Sequence, residues 1–197
     1  MRVVLASANE GKAREFQQGL DGLVKLELIS ELVTAWGVEE TGCTFYANAL
    51  IKAEAAAKAT GLPALADDSG LSVYYLGGEP GVHSSRFAGS SASDEENNQL
   101  LLKRMATART RTEAHFSCVL CLKIPGQEPR FATGRLFGHI LKNPRGEGGF
   151  GYDPLFQAYS SSRTLAEMSL KEKNEVSHRG LALRKMVTIL GEVWRAR

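Results

Sequence analysis

Two neighbouring carboxylates, Asp67 and Asp68 in the stretch ADDSG, carry the clearest potential for acid–base or cation chemistry in this chain. Successive side chains of a strand point to opposite faces, so only one of the two can address a given crevice. PALADD reads as a short strand with the pair at its C-terminal end, and strand ends are where open α/β sheets bind ligands. Asp-Asp-Ser-Gly is also good turn chemistry, with no site implied. Glu39 or Glu40 would complete a hard oxygen site for Mg2+, an ion that uses one or two protein carboxylates and takes its other ligands from phosphate and water.

Cationic and glycine-rich stretches supply the complement. In SANEGK, Ser7 and Asn9 sit where a strand meets a helix N-terminus, whose N–H groups and positive dipole end favour an anion, and Lys12 adds a full charge on the first turn. The run lacks the P-loop pattern, and Asn9 could serve as an ordinary cap. Asn48 and Lys52 are four apart and share one helix face, from which Lys52 either snorkels or reaches a phosphate. In GGFGYDPLF, Gly148, Gly149 and Gly151 let backbone approach a flat ligand, Phe150 and Tyr152 offer aromatic faces, and Asp153 supplies polarity; a tight turn with both rings in the core uses the same residues. KNEVSHRG places His178 and Arg179 on the first turn of a helix, where cations oppose the dipole, so they are either donors directed at a ligand or exposed and idle.

These residues need elements to hold them. RVVLAS reads as a buried strand and NEGKAREFQQGL as a helix with Phe16 and Leu20 on one face. A second helix spans 45 to 60, with Thr44 as N-cap, Gly61 just past the end and Pro63 as the stop. Strands at 114–124 and 130–141 are joined by the turn PGQEP, and Phe116, Cys118, Leu120, Leu122 and Ile124 share a face. The C-terminal third reads as helices: Thr164 with Glu167, and Ser169 with Glu172, have capping-box spacing, and Ser177 opens the last helix. Strands mixed with helices and one hairpin give an α/β fold around a mixed sheet.

Composition narrows the partners. With 197 residues, 43% hydrophobic, the chain suits one substantial core, and 24 basic against 22 acidic residues leave no field for a nucleic-acid polymer. Any bound anion must be held locally. Of three cysteines, Cys43, Cys118 and Cys121, the last two form a C-x-x-C inside an apolar strand pattern, which fits buried thiols in a reducing cytoplasm better than a metal knuckle. No apolar run has the length of a membrane span or signal peptide.

SANEGK, EETGCTFYANALIKA, ADDSGL, GGEPGVHSSRFAG, GGFGYDPLF and EKNEVSHRG, in this order from the first strand to the last helix, resemble the motif series of the inosine triphosphate pyrophosphatase (dITP/XTP pyrophosphatase) family. The resemblance implies a single domain over residues 1–197, built on an elongated mixed β-sheet flanked by helices, with two lobes and the active site in the cleft between them. It implies hydrolysis of ITP, dITP and XTP to the monophosphate and pyrophosphate, with Mg2+, by a cytoplasmic homodimer. Carried over motif by motif, Asp68 is the general base, and Glu40 with Asp68 holds the metal. The nucleotide is bound by Ser7, Ala8, Asn9, Glu10, Gly11, Lys12, Lys52, Ser69, Phe150, Gly151, Tyr152, Asp153, Lys173, His178 and Arg179. Ala8 stands where the family usually has glycine, Ala47 where many relatives have glutamate, and His83 where they often have tyrosine. Two other readings remain beside it. A Maf-type nucleotide pyrophosphatase opens with Ser-x-Ser-Pro-x-x-Arg, which SANEGK does not match, and a non-catalytic nucleotide-binding protein has no need of Glu40 and Asp68.

Overall fold

Val3, Val4 and Leu5 are all fully buried although they alternate in direction, so the first strand must be covered on both faces. The computed structural model, which describes residues 2–108 and 112–195, places this strand, β1 (Arg2–Leu5), between two parallel neighbours. It pairs with β2 (Lys25–Leu28) and with β3 (Ala64–Val73). The full order is β2-β1-β3-β4-β5-β6, with β4 at Glu113–Lys123, β5 at Arg130–Ile140 and β6 at Phe156–Ala158. β6 runs antiparallel to β5, so the sheet is mixed and the fold is α/β.

The chain divides into two compact units: Met1–Asp68 with Cys118–Gly134 and Arg179–Arg197, and Ser69–Ser117 with Arg135–His178. In the first, α1 (Glu10–Leu20) and α6 (His178–Arg195) cover one sheet face, packing Phe16, Leu20, Leu183 and Met186 on Leu5, Leu65, Leu120 and Leu122. α3 (Phe45–Thr60) covers the other through Ala49, Ala53, Ala56 and Ala57, a stripe of small residues at helical spacing that packs on Val4, Ala66 and Val119. A short α2 (Ile29–Leu32) follows β2. The caps of α3 are those expected: the Thr44 hydroxyl accepts from Ala47 N–H at 3.2 Å, and Gly61 takes a left-handed φ of 67°.

In the second unit, α4 (Asp94–Arg104) and α5 (Leu170–Val176) accompany a core of Leu71, Leu101, Phe116, Leu136, Leu155, Phe156 and Leu165. The capping boxes at Thr164–Glu167 and Ser169–Glu172 both form. Three features depart from the sequence reading. β3 does not stop at the carboxylate pair; it continues through Ser69 and Gly70 because Leu71 and Val73 bury beyond them. α4, opened by a Ser93–Glu96 capping box, was not foreseen, and β6 falls inside the third read as helical. Among the described residues no helix is long and apolar enough to cross a membrane.

Candidate active site

Asp67 and Asp68 lie mid-strand in β3 and, as the alternation requires, serve opposite faces of the sheet. Asp67 is 1% exposed, and its partners on the α1/α6 side include the Lys12 ammonium, the Arg179 Nε–H at 3.2 Å and the Cys118 thiol at 3.1 Å. Arg179 is itself 1% exposed and also donates to the buried carboxylate of Glu15. On the α3 side, Asp68 receives Asn48 Nδ2 at 3.2 Å and Lys52 Nζ at 3.1 Å. The same ammonium reaches Glu40 Oε1 at 2.6 Å, and Asn48 Oδ1 accepts from Gly42 N–H at 2.8 Å, tying the loop before α3 to the helix.

The two neighbours titrate in opposite directions. Burial would raise Asp67, but Lys12 and Arg179 outweigh it and hold the carboxyl well below its usual range. Burial, the largest influence, raises Asp68 and prevails there over Lys52 and Lys12, with Glu40 adding like-charge repulsion. Two neighbouring carboxyl groups are thereby separated into a more acidic and a more basic one, the division expected where one holds structure and the other accepts a proton. Lys52, desolvated yet facing Asp68 and Glu40, is held above its ordinary value and stays charged.

The first turn of α1 is arranged for an anion. Asn9 caps it, its Oδ1 accepting from Lys12 N–H at 2.9 Å, and Ser7 Oγ accepts from Asn9 N–H at 3.2 Å. For a cation, the donor set is Glu40 and Asp68, whose oxygens already converge on one positive charge, that of Lys52. Among the described residues no three His, Cys, Asp or Glu side chains gather as a complete cation site. Two carboxylates that leave other positions to phosphate and water fit the habit of Mg2+.

In the second unit, GGFGYDPLF forms a loop knotted around Asp153. Its buried carboxylate accepts from Phe150 N–H at 3.0 Å and pairs with the buried Lys173 ammonium, which stands 4.5 Å above the Phe150 ring. Gly149 has φ +74°, and a Cβ there would run into the Asp153 carboxylate, so the position requires glycine. Gly151 is held from α4: its N–H donates to Asp94 Oδ2 at 2.6 Å and its carbonyl accepts from Asn98 Nδ2 at 2.9 Å. Tyr152 is buried, its hydroxyl on the Ser84 carbonyl at 2.9 Å, whereas Phe150 is only half-buried. His178 stacks on Phe116 with ring centroids 4.6 Å apart and planes 9° from parallel.

The model of the Ham1 family matches residues 3–189. The chain belongs to the Ham1 family. The dITP/XTP pyrophosphatase of Thermus thermophilus is 50% identical over 188 residues, covering 95% of this chain and 90% of that protein. That of Bacillus subtilis is 41% identical, covering 95% and 96%. Solved Ham1 proteins from Staphylococcus aureus and Coxiella burnetii superpose with TM-scores of 0.87 at 40% and 45% identity, each over 98% of this chain and 99% of theirs.

In this Ham1 chain the sequence-predicted residues fall into two groups. Ser7, Asn9, Lys12, Glu40, Lys52 and Asp68 gather in the first unit, together with Arg179, whose guanidinium is engaged by Glu15 and Asp67. Ala8, Glu10 and Gly11 complete the α1 turn there. Phe150, Gly151, Tyr152, Asp153, Lys173 and His178 belong to the second unit, as does Ser69. His178 and Arg179 are buried, not idle on the surface. Reading the sequence missed Glu15, Asp94 and Asn98. Glu15 follows Lys12 by one helical turn and adjoins the core residue Phe16, a charged residue at an apolar-face position and the signal that could have found it. Asp94 and Asn98, four apart on α4, had no such signal.

Proposed function

We propose that this chain is a dITP/XTP pyrophosphatase that hydrolyses ITP, dITP and XTP to the nucleoside monophosphate and pyrophosphate, removing deaminated purines from the nucleotide pool. The observation that carries the reading is the cluster around Asp68, where Lys52 Nζ stands 3.1 Å from Asp68 Oδ1 and 2.6 Å from Glu40 Oε1 while Asn48 Nδ2 donates to Asp68 at 3.2 Å. The names carried by its relatives support the substrate class.

The N-terminal turn of α1, with Ser7 through Lys12, holds the phosphate chain by its N–H groups and the Lys12 charge, and Lys52 offsets further charge. Asp68 accepts a proton from a water whose oxygen bonds to the α-phosphorus. The bond from that phosphorus to the αβ-bridging oxygen breaks, and pyrophosphate leaves with the bond's electron pair. Glu40 and Asp68 would hold Mg2+, which supplies positive charge for the phosphate oxygens. Asp67 takes no proton; it keeps Lys12 and Arg179 in place. Ser69, beside the base, offers a hydroxyl to the substrate. Phe150 presents its ring to the purine while Gly151, Tyr152, Asp153 and Lys173 fix that ring, and His178 with Arg179 supplies donors toward the base. Hypoxanthine and xanthine carry an acceptor at C6 where adenine carries a donor, so a donor-built site rejects ATP. We read residues 1–197 as one catalytic domain working as a homodimer in the cytoplasm.

Incubation with dITP and Mg2+ tests the reading. Pyrophosphate and dIMP in equal amounts are expected, with ATP turned over far more slowly; orthophosphate as the first product, or equal rates for ATP, would overturn it.

A further inference from the structure

A ring offers a steady face to a purine only if the backbone beneath it is held, and around Phe150 that holding is shared between its own loop and α4. The two peptide planes that flank the Phe150 α-carbon fix where the side chain points. The first plane is tied within the loop, by the Phe150 N–H on Asp153 Oδ2 at 3.0 Å. The second joins Phe150 to Gly151. Its carbonyl accepts from Asp153 N–H at 3.3 Å, and its N–H donates out of the loop to Asp94 Oδ2 at 2.6 Å. The plane after it is held from α4 as well, by Asn98 Nδ2 on the Gly151 carbonyl at 2.9 Å.

Sterics alone do not set Gly151. A Cβ at Gly149 would run into Asp153, whereas one at Gly151, with φ +61°, would meet nothing within 4 Å. Between loop and helix lies a cleft of about 470 Å³, lined by Asp94, Asn98 and Leu102 on α4 and by Gly148, Phe150 and Gly151 on the loop. A glycine with open space around it is the softest point of a backbone. The two hydrogen bonds from α4 span that space and keep the loop from moving into it.

The helix is suited to the task. Asp94 and Asn98 are four apart and so share one face of it. The Ser93–Glu96 capping box fixes its start, and Leu101 is fully buried. Asn97 anchors it further, accepting from Ala88 N–H at 2.8 Å and donating to the Ser85 carbonyl at 3.2 Å. Asn98 carries a cost for its contact: its Oδ1 is buried and, among the described residues, has no partner. Turning the amide over would set that oxygen against the Gly151 carbonyl.

We propose that Asp94 and Asn98 are positioning residues for the purine: by gripping the N–H and the carbonyl of Gly151 they set the direction of the Phe150 ring, and through it the affinity for the base. The assignment rests on the reading of Phe150 as the face on which the purine lies.

Steady-state kinetics with dITP and Mg2+ on the full chain test it, with inorganic tripolyphosphate as an inhibitor that has the phosphates and no base. Phe150→Ala should raise KM for dITP about 5- to 150-fold, the range of base stacking on an aromatic ring. Asp94→Ala and Asn98→Ala should each raise it about 5- to 10-fold, while kcat and the tripolyphosphate inhibition constant change by less than about 2-fold, the split expected when only binding of the base is lost. Asp94→Asn keeps an acceptor for Gly151 N–H and should regain most of that loss. Asn98→Asp sets a carboxylate against the Gly151 carbonyl and should be at least as impaired as Asn98→Ala. In a Phe150→Ala background, Asp94→Ala should add nothing further to KM, because both act through one ring.

If KM is unmoved in Asp94→Ala and Asn98→Ala but raised in Phe150→Ala, the positioning role is overturned and the purine face stands. If Phe150→Ala also leaves KM unmoved, both fall. An Asp94→Asn variant as impaired as Asp94→Ala would make the carboxylate's charge at the start of α4 the cause, and parallel losses in kcat and in tripolyphosphate binding would make it general damage to the fold; either result overturns the grip on Gly151.

Discussion

Replacing either member of the carboxylate pair by asparagine should produce opposite defects. Asp67→Asn removes the anion that Arg179 and Lys12 share. Taking one partner from a buried ion pair costs roughly 3–5 kcal/mol. Arg179 retains Glu15, and the Lys12 side chain is 17% exposed and can turn to water, which places the loss near the lower end, about 3 kcal/mol. At roughly 2–4 °C per kcal/mol for a chain of this size, Tm should fall by about 6–12 °C. Asp68→Asn removes a charge that burial already disfavours, and Lys52 keeps Glu40, so Tm should move by no more than about 3 °C. Turnover should show the reverse, with kcat falling about 100-fold or more in Asp68→Asn through loss of the base. Calorimetric melting at pH 7.5 and pyrophosphate release from dITP, measured on both variants, check the pair of expectations. Equal Tm losses, or an Asp68→Asn variant keeping more than about a tenth of wild-type kcat, would refute the division of roles.

Lowering the pH should give the same two residues separate signatures. Asp68 has its carboxyl raised, so the acid limb of kcat/KM should titrate above the ordinary value of 3.8. Asp67 is depressed in the fold, so its contribution to stability is present above about pH 4 and is lost as pH falls toward the lower folded value; acid melting of Asp67→Asn should be the flatter. Lys12→Ala and Lys52→Ala should each weaken binding of a triphosphate far more than of a monophosphate by calorimetric titration, and equal losses would move both lysines away from the phosphate tail. Gly149→Ala, forced to φ +74° against Asp153, should destabilise by about 1–3 kcal/mol and raise KM for dITP, an effect absent if the loop has no part in binding.

Much of this was legible in the sequence because the signals were local. The α3 caps at Thr44 and Gly61, both C-terminal capping boxes and the Asn9 cap of α1 follow from short-range chemistry, and each forms as read. β3 was cut short because Asp-Asp-Ser-Gly is turn chemistry in isolation. Only partners distant in sequence, Lys12 and Arg179 on one face and Lys52 and Asn48 on the other, let two carboxylates stay inside a strand. The separate roles of Asp67 and Asp68 could not be read for the same reason: the strand period gives opposite faces but not what waits on each. The Cys118 thiol is buried as its strand pattern requires, and its contact with Asp67 depends on β4 lying beside β3.

Hydrolysis of dITP in 18O-labelled water, with products resolved by mass spectrometry, tests the central claim most directly. The account places the attacking oxygen on the α-phosphorus, so the label should appear in dIMP with unlabelled pyrophosphate, in wild type and in whatever residual turnover Asp68→Asn retains. Label in pyrophosphate or orthophosphate would put the attack elsewhere on the chain and contradict it.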